Sequence, residues 1–196
     1  MGLPRTALAP ALGLAAGLLA ALPAAAEPYA MDRSHASVIF SVDHIGFSVI
    51  HGRFNDFSAD IDYDPENLAA STVSFTLQTS SIDTGWEARD THIKSGDMLD
   101  VEEYPEITFV STGVEMISDT EAKVTGDVTI KGVTNEETFD VTLNKTGPSP
   151  LDPEQTVVGF TIEGELDRTA YGVDYFAPAV AATMPVRIDL EASPAK

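Results

Sequence analysis

The chain has 196 residues, 43% of them hydrophobic, and its 31 acidic side chains against 11 basic ones leave a formal charge of −20. So acidic a surface repels phosphate polymers and anionic headgroups, which argues against nucleic acid as a partner and against membrane docking through a basic patch; solubility alone accounts for the acidity. No cysteine is present, so neither a disulfide nor a lipoprotein attachment thiol is available and stability must come from packing.

Residues 1 to 26 carry a single charge at Arg5, an Ala/Leu-rich run from Ala7 to Leu22, then Pro23 and the small residues Ala24, Ala25 and Ala26. This order predicts a secretory signal peptide cut after Ala26, hence a periplasmic product with no stable membrane insertion. A permanent membrane helix fits less well, because the run meets a proline and a small-residue cleavage site instead of a charged stop. Loss of Arg5 takes the charge from −20 to −21 and leaves residues 27 to 196, a length suited to one domain.

Beyond the leader the dominant period is two, as in strands with one buried face. Val38, Phe40, Val42 and His44 share a face, with Ser37, Ser41 and Asp43 opposite. Phe57, Ala59, Ile61 and Tyr63 alternate with Ser58, Asp60 and Asp62. Val73, Phe75 and Leu77 follow, then Ile107 and Phe109 after Pro105. Val124, Val128 and Ile130 are separated by the turn segment Lys131-Gly132-Val133-Thr134-Asn135 from Phe139, Val141 and Leu143. Val158, Phe160, Ile162 and Leu166 come next, and Met184, Val186, Ile188 and Leu190 close the series. Eight strands, each with one apolar face, predict a mainly β protein: an up-and-down antiparallel barrel, which leaves no open edge, with a two-sheet sandwich as the alternative.

Two segments break the alternation. Asp83 to Glu103 is too long for a plain turn; a short helix is expected over Trp86 to Ile93, with Thr84 as N-cap and Gly96 as its stop. Gly147 to Pro153, rich in proline, reads as a surface loop.

Motifs for nucleophilic catalysis and nucleotide binding are missing, and alternating carboxylates point to solvent without forming an acid–base pair. No cofactor is indicated. The four histidines, at 35, 44, 51 and 92, lack the spacing of a metal site. His44, in phase with Val42, reads as a hydrogen-bonded core histidine.

The stretch SSIDTGWEARDTHIKSGDMLDVEEYPEITF, from Ser80 to Phe109, resembles the signature of the YceI-like family of bacterial periplasmic proteins. Its positions fall here on Ser81 to Thr84, Arg89, Asp90, His92, Ser95, Asp97, Tyr104, Pro105 and Phe109. The segments YAMDRSHASVIFSVDHIGFSVIHGRF, VTGDVTIKGVT and DRTAYGVDYF agree in the same order, so the resemblance spans nearly the whole mature chain. It implies a lipocalin-like eight-stranded barrel around a long apolar lipid, typically a polyisoprenoid, and no known catalytic site. Where relatives place a basic residue after Gly-Val-Thr, this chain has Asn135, which weakens that turn as an anion site.

The ligand wall expected on this basis is Phe40, Val42, His44, Phe57, Ile61, Phe75, Leu77, Phe109, Val128, Ile130, Phe139, Val141, Phe160 and Ile162. Trp86, Arg89, Arg168 and Tyr171 would stand at the mouth. Arg89 either meets a polar head with its fork of donors or, with Asp90, ties the excursion to a neighbouring strand while Trp86 caps the core; Arg168 and Tyr171 carry the same two readings. Small barrels can also fill with their own side chains. The expected function is therefore lipid sequestration or carriage, against two rivals: an enzyme on an isoprenoid or fatty-acid derivative using His44, or a solid-core stress-response domain that captures a protein. The sequence leaves the oligomeric state open, a dimer included.

Overall fold

A computed structural model describes residues 26–196; the expected leader, apart from Ala26, lies outside the described residues. The strands in chain order are β1 (Glu27–Met31), β2 (Ser37–His44), β3 (Ser48–Phe54), β4 (Phe57–Tyr63), β5 (Thr72–Gln78) and β6 (Ile82–Asp83). Among the described residues one α-helix, α1 (Glu87–Lys94), precedes β7 (Glu106–Met116), β8 (Glu121–Ile130), β9 (Val133–Pro148), β10 (Thr156–Asp167) and β11 (Thr183–Pro194), and four short 3-10 turns lie in the connections. Among the described residues no helix is long and apolar enough to cross a membrane.

Closure follows from pairing. The antiparallel order β1-β4-β5-β7-β8-β9-β10-β11 returns to β1 through Tyr29 opposite Pro194, so eight strands make a barrel and leave that circuit without an edge. The remaining three strands lengthen the wall. β2 continues β1 after a bend at Asp32, so β11 pairs β1 near its end and β2 nearer its start, with Ile188 opposite Val38. β3 pairs β2 along its whole length, and Phe54 and Arg53 meet β6.

Local sequence explains the turns. Lys131 and Gly132 both take left-handed φ, 50° and 74°, as a two-residue hairpin between right-twisted strands requires. The bend after β1 is held by the Asp32 carboxylate, which accepts from the Ser34 N–H at 2.8 Å and from its hydroxyl at 2.7 Å.

Helix α1 begins close to its expected place but with different caps. Trp86 occupies the N-cap without a side-chain bond, and the helix stops at Ser95, whose hydroxyl donates to the His92 carbonyl. Thr84 is not the cap because its hydroxyl and amide are committed to the Asp90 carboxylate. The predicted proline loop is shorter than expected, since β9 runs on to Pro148 against β10.

Candidate functional site

The inward faces of the barrel enclose a cavity of about 510 Å³ that runs its length. Cavities of a few hundred to a thousand cubic ångströms are typical of small-molecule sites. Its wall is almost wholly apolar, drawn from every strand of the circuit except the short β1 and from β2, β3 and β6. Phe40, Val42, Ile61, Phe75, Leu77, Phe109, Val128, Ile130, Phe139, Val141, Phe160 and Ile162 all line it, as their alternation predicts.

A barrel with this many phenylalanines stays hollow because of where its glycines are. A Cβ built on Gly52 would lie 2.2 Å from Phe40 Cζ, one on Gly126 2.5 Å from Phe109 Cε2, and one on Gly164 2.5 Å from Phe139 Cδ1. Three rings therefore lie against the bare backbone of a neighbouring strand. Each ring occupies the place of a missing side chain, so it thickens the wall and leaves the lumen open. Phe109 and Phe139 also meet edge to face with centroids 5.5 Å apart.

The cavity reaches the surface at both ends. At one end exposed Asp62, Thr120 and Glu121 reach it, so that rim is acidic. At the other end Tyr175 and Phe176, both exposed, stand beside His44, Arg89 and His92. Excursion and loop are joined there, with the His92 and Tyr175 rings 4.5 Å apart, while His44 bridges the backbone of Val180.

The signature excursion is wired inward. Asp90 Oδ1 accepts from the Thr84 amide at 2.9 Å and hydroxyl at 2.5 Å. Arg89 donates from Nε to Thr84 Oγ1 at 2.7 Å and from Nη2 to the Thr84 carbonyl at 2.6 Å. Lys131, in the β8–β9 turn, donates to the Gly96 carbonyl at 3.2 Å. Asp83 accepts from the Gly85 N–H, which with Asn55 and Arg53 holds its carboxyl below the usual range. Arg89 and Asp90 thus close the excursion on its own start at Thr84, not on a neighbouring strand, and Arg89 also lines the cavity.

Other expected site residues occupy different places. Phe57 is buried but off the cavity, because Arg33 stacks on its ring at 3.7 Å, at the bend between β1 and β2. Trp86 is exposed, not a core cap, and occupies the N-cap position of α1 in extended conformation. Tyr171 is fully buried behind the wall and donates to Glu137 Oε1 at 2.8 Å; burial and that carboxylate push its phenol well up. Arg168 reaches the lining but is 4% exposed. It donates to the carbonyls of Val173 at 2.5 Å and of Val180 and Ala181 at 2.9 Å, clamping the loop after β10. His44 lines the lumen as its phase requires, yet among the described residues its ring has no hydrogen-bond partner, because it stands at the mouth, half-exposed to water.

The fold, not sequence spacing, brings His35 beside two carboxylates. Its Nδ1 lies 2.8 Å from Asp32 and 3.8 Å from Glu191, which β11 brings alongside. All three are exposed and Asp32 is already capping the bend, so the group reads as an ion pair. Sequence reasoning also missed Ile50 and Phe54 of β3, because Gly52 between them interrupts the apolar alternation. It missed Met98, Leu99 and Val180, which lie in irregular segments where no period exists to be read.

A closed eight-stranded calyx with a continuous apolar lumen is the architecture of a ligand-holding barrel. The YceI-like domain model matches residues 29–192, and the chain belongs to that family. A UPF0312 protein of Pseudomonas putida is 40% identical over 165 residues, covering 83% of this chain and 85% of the relative. The crystal structure of a Campylobacter jejuni YceI protein superposes with a TM-score of 0.71 at 25% identity, covering 79% of this chain and 90% of that one. A polyisoprenoid binding domain from Saccharophagus degradans shares the fold with a TM-score of 0.62 at 13% identity, covering 86% of this chain and 99% of that one.

Proposed function

We propose that this chain is an exported, periplasmic protein that sequesters or carries a long apolar chain, a polyisoprenoid or a related amphiphile, in its lumen. The observation that carries the reading is the cavity of about 510 Å³ with its continuous apolar wall. The binding described for the Saccharophagus domain supports the choice of ligand class. Each methylene moved from water into such a wall contributes about 0.8 kcal/mol, offset by the chain freedom lost on threading. Affinity then follows chain length more than headgroup. An anionic head is better placed at the end with Arg89, because the opposite rim carries Asp62 and Glu121.

Binding without turnover is favoured because the Thr84 hydroxyl, beside Arg89 in the cavity lining, is spent on Asp90 and Arg89. Titration with isoprenoid alcohols of increasing length tests the reading. Affinity should rise with each added unit until the lumen is full and then level off. Equal, weak affinity at all lengths would refute it, and conversion of the bound alcohol would replace it with the enzyme reading.

A further inference from the structure

The mouth near Arg89 carries side chains that an enclosed ligand does not require. Ile45 and Phe47 stand at the β2–β3 tip, Trp86 precedes α1, and Tyr175 and Phe176 lie in the loop after β10. Phe47 is 88% exposed, Phe176 65% and Trp86 62%. Contacts between their elements make them neighbours. Ala181 donates to the Asp43 carbonyl beside the hairpin tip, Tyr175 and Phe176 pack edge to face, and Tyr175 also meets His92 of α1.

Two of these residues are held outward at a cost. Ile45 has φ 61° and Phe176 φ 58°, in the left-handed region where glycine or asparagine is far cheaper and a β-branched residue is an outlier. Bulky apolar residues kept in such positions and in water point to a partner for those side chains.

We infer that this rim docks on the surface of a neutral, zwitterionic phospholipid bilayer, so that the cavity mouth opens onto the lipid phase. The inference deepens the lipid-carrier reading by naming the surface from which cargo enters. Three observations select this occupant. Tyr175 and Phe176 belong both to the rim and to the cavity wall, so what the rim touches is continuous with the lumen. Tryptophan and tyrosine beside phenylalanine and isoleucine suit the headgroup boundary, where one part of the ring stays wet. Charge excludes the alternatives: a formal −20 repels an anionic surface, and a second copy meeting this rim head-on would oppose Asp43, Glu87 and Asp174 to themselves.

The test uses sedimentation with phosphatidylcholine vesicles and the emission of Trp86, the chain's only tryptophan. The mature wild-type protein should co-sediment and its emission should shift to the blue, with binding weakened by added phosphatidylglycerol. Phe47→Ser and Ile45→Ser, at two rim residues that do not line the cavity, should each weaken binding roughly tenfold. Leu151→Ser, at the far end of the barrel and 97% exposed, should leave it unchanged. Each rim variant should still bind an isoprenoid alcohol offered in solution, which shows that it folds. Absence of vesicle binding, equal binding by wild type and rim variants, or an emission unchanged by vesicles would overturn the inference. So would a wild-type dimer that the rim substitutions split, since a second copy would then cover the rim. Vesicle docking with an empty, non-binding lumen would leave the docking surface standing and refute the carrier reading instead.

Discussion

Arg89 and Arg168 look alike in the sequence, each in a signature segment, but their surroundings assign them different work. Arg168 satisfies three carbonyls inside a loop with no regular ladder, so Arg168→Leu leaves buried acceptors unpaired. A loss of roughly 3 kcal/mol is expected, read as a lower urea midpoint. Arg89 holds Thr84 and also faces the lumen, so Arg89→Leu should weaken a lipid with a charged head more than a headless chain of equal length. The ratio of the two affinities is the measurement, because a stability loss lowers both alike; an unchanged ratio would leave Arg89 only its bond to Thr84. The Asp32–His35 pair sets a pH dependence at the bend. Hydrogen bonds from Ser34, then from His35, hold Asp32 at about 2, so its contribution is present above the ordinary carboxylate value near pH 4 and fades as pH falls toward 2. Asp32 in turn raises His35, whose contribution is full below its ordinary value near 6.5 and is lost as pH rises through the raised one. Urea midpoints of His35→Gln should therefore lose the decline that the wild type shows above about pH 6.5; an identical decline in both would remove the pair from the account.

Among the elements, the strands with clean alternation were legible from sequence because one face is wet and one faces the lumen. β3 was not, because its inward series Ile50, Gly52 and Phe54 has a gap where Phe40 lies. The same glycine that hides the strand keeps the lumen open. Gly52→Ala should therefore swing the Phe40 ring into the cavity, with little loss of stability, since the atoms met are the far end of that ring, and with weaker binding of long chains. Gly126→Ala differs, because its Cβ would also meet the Val110 carbonyl, which is backbone at a strand irregularity. It should cost stability of about 1 to 3 kcal/mol as well. Comparing urea midpoints with chain affinities for the two variants checks this; equal effects on both properties would refute the division between ring and backbone. The excursion was legible as an interruption with a helix in it, but not in its caps. Thr84 has the right chemistry for a cap and is instead taken by Asp90, a choice made by tertiary packing that local sequence does not encode.

For the whole molecule, periodicity required closure and left barrel and sandwich open, and the pairing of β1 with β11 decides it. Periodicity could not decide whether the interior was filled, since the same residues serve a solid core and a hollow one. Val128 tests that point directly, being 3% exposed and part of the cavity wall. Val128→Trp should fill lumen space, leaving the empty barrel about as stable as before while excluding the chain; a solid interior would instead lose roughly 1 to 3 kcal/mol to overpacking. Thr129→Trp, on the outer face, should not alter chain binding. On the proposed function the lumen holds a long apolar chain in the cell. Native mass spectrometry of protein recovered from the periplasm, followed by analysis of its organic extract, measures this most directly. A non-covalent apolar ligand at about one per chain is expected, lost in Val128→Trp. A bare polypeptide mass, with no lipid in the extract and none taken up when isoprenoid is added back, would contradict it.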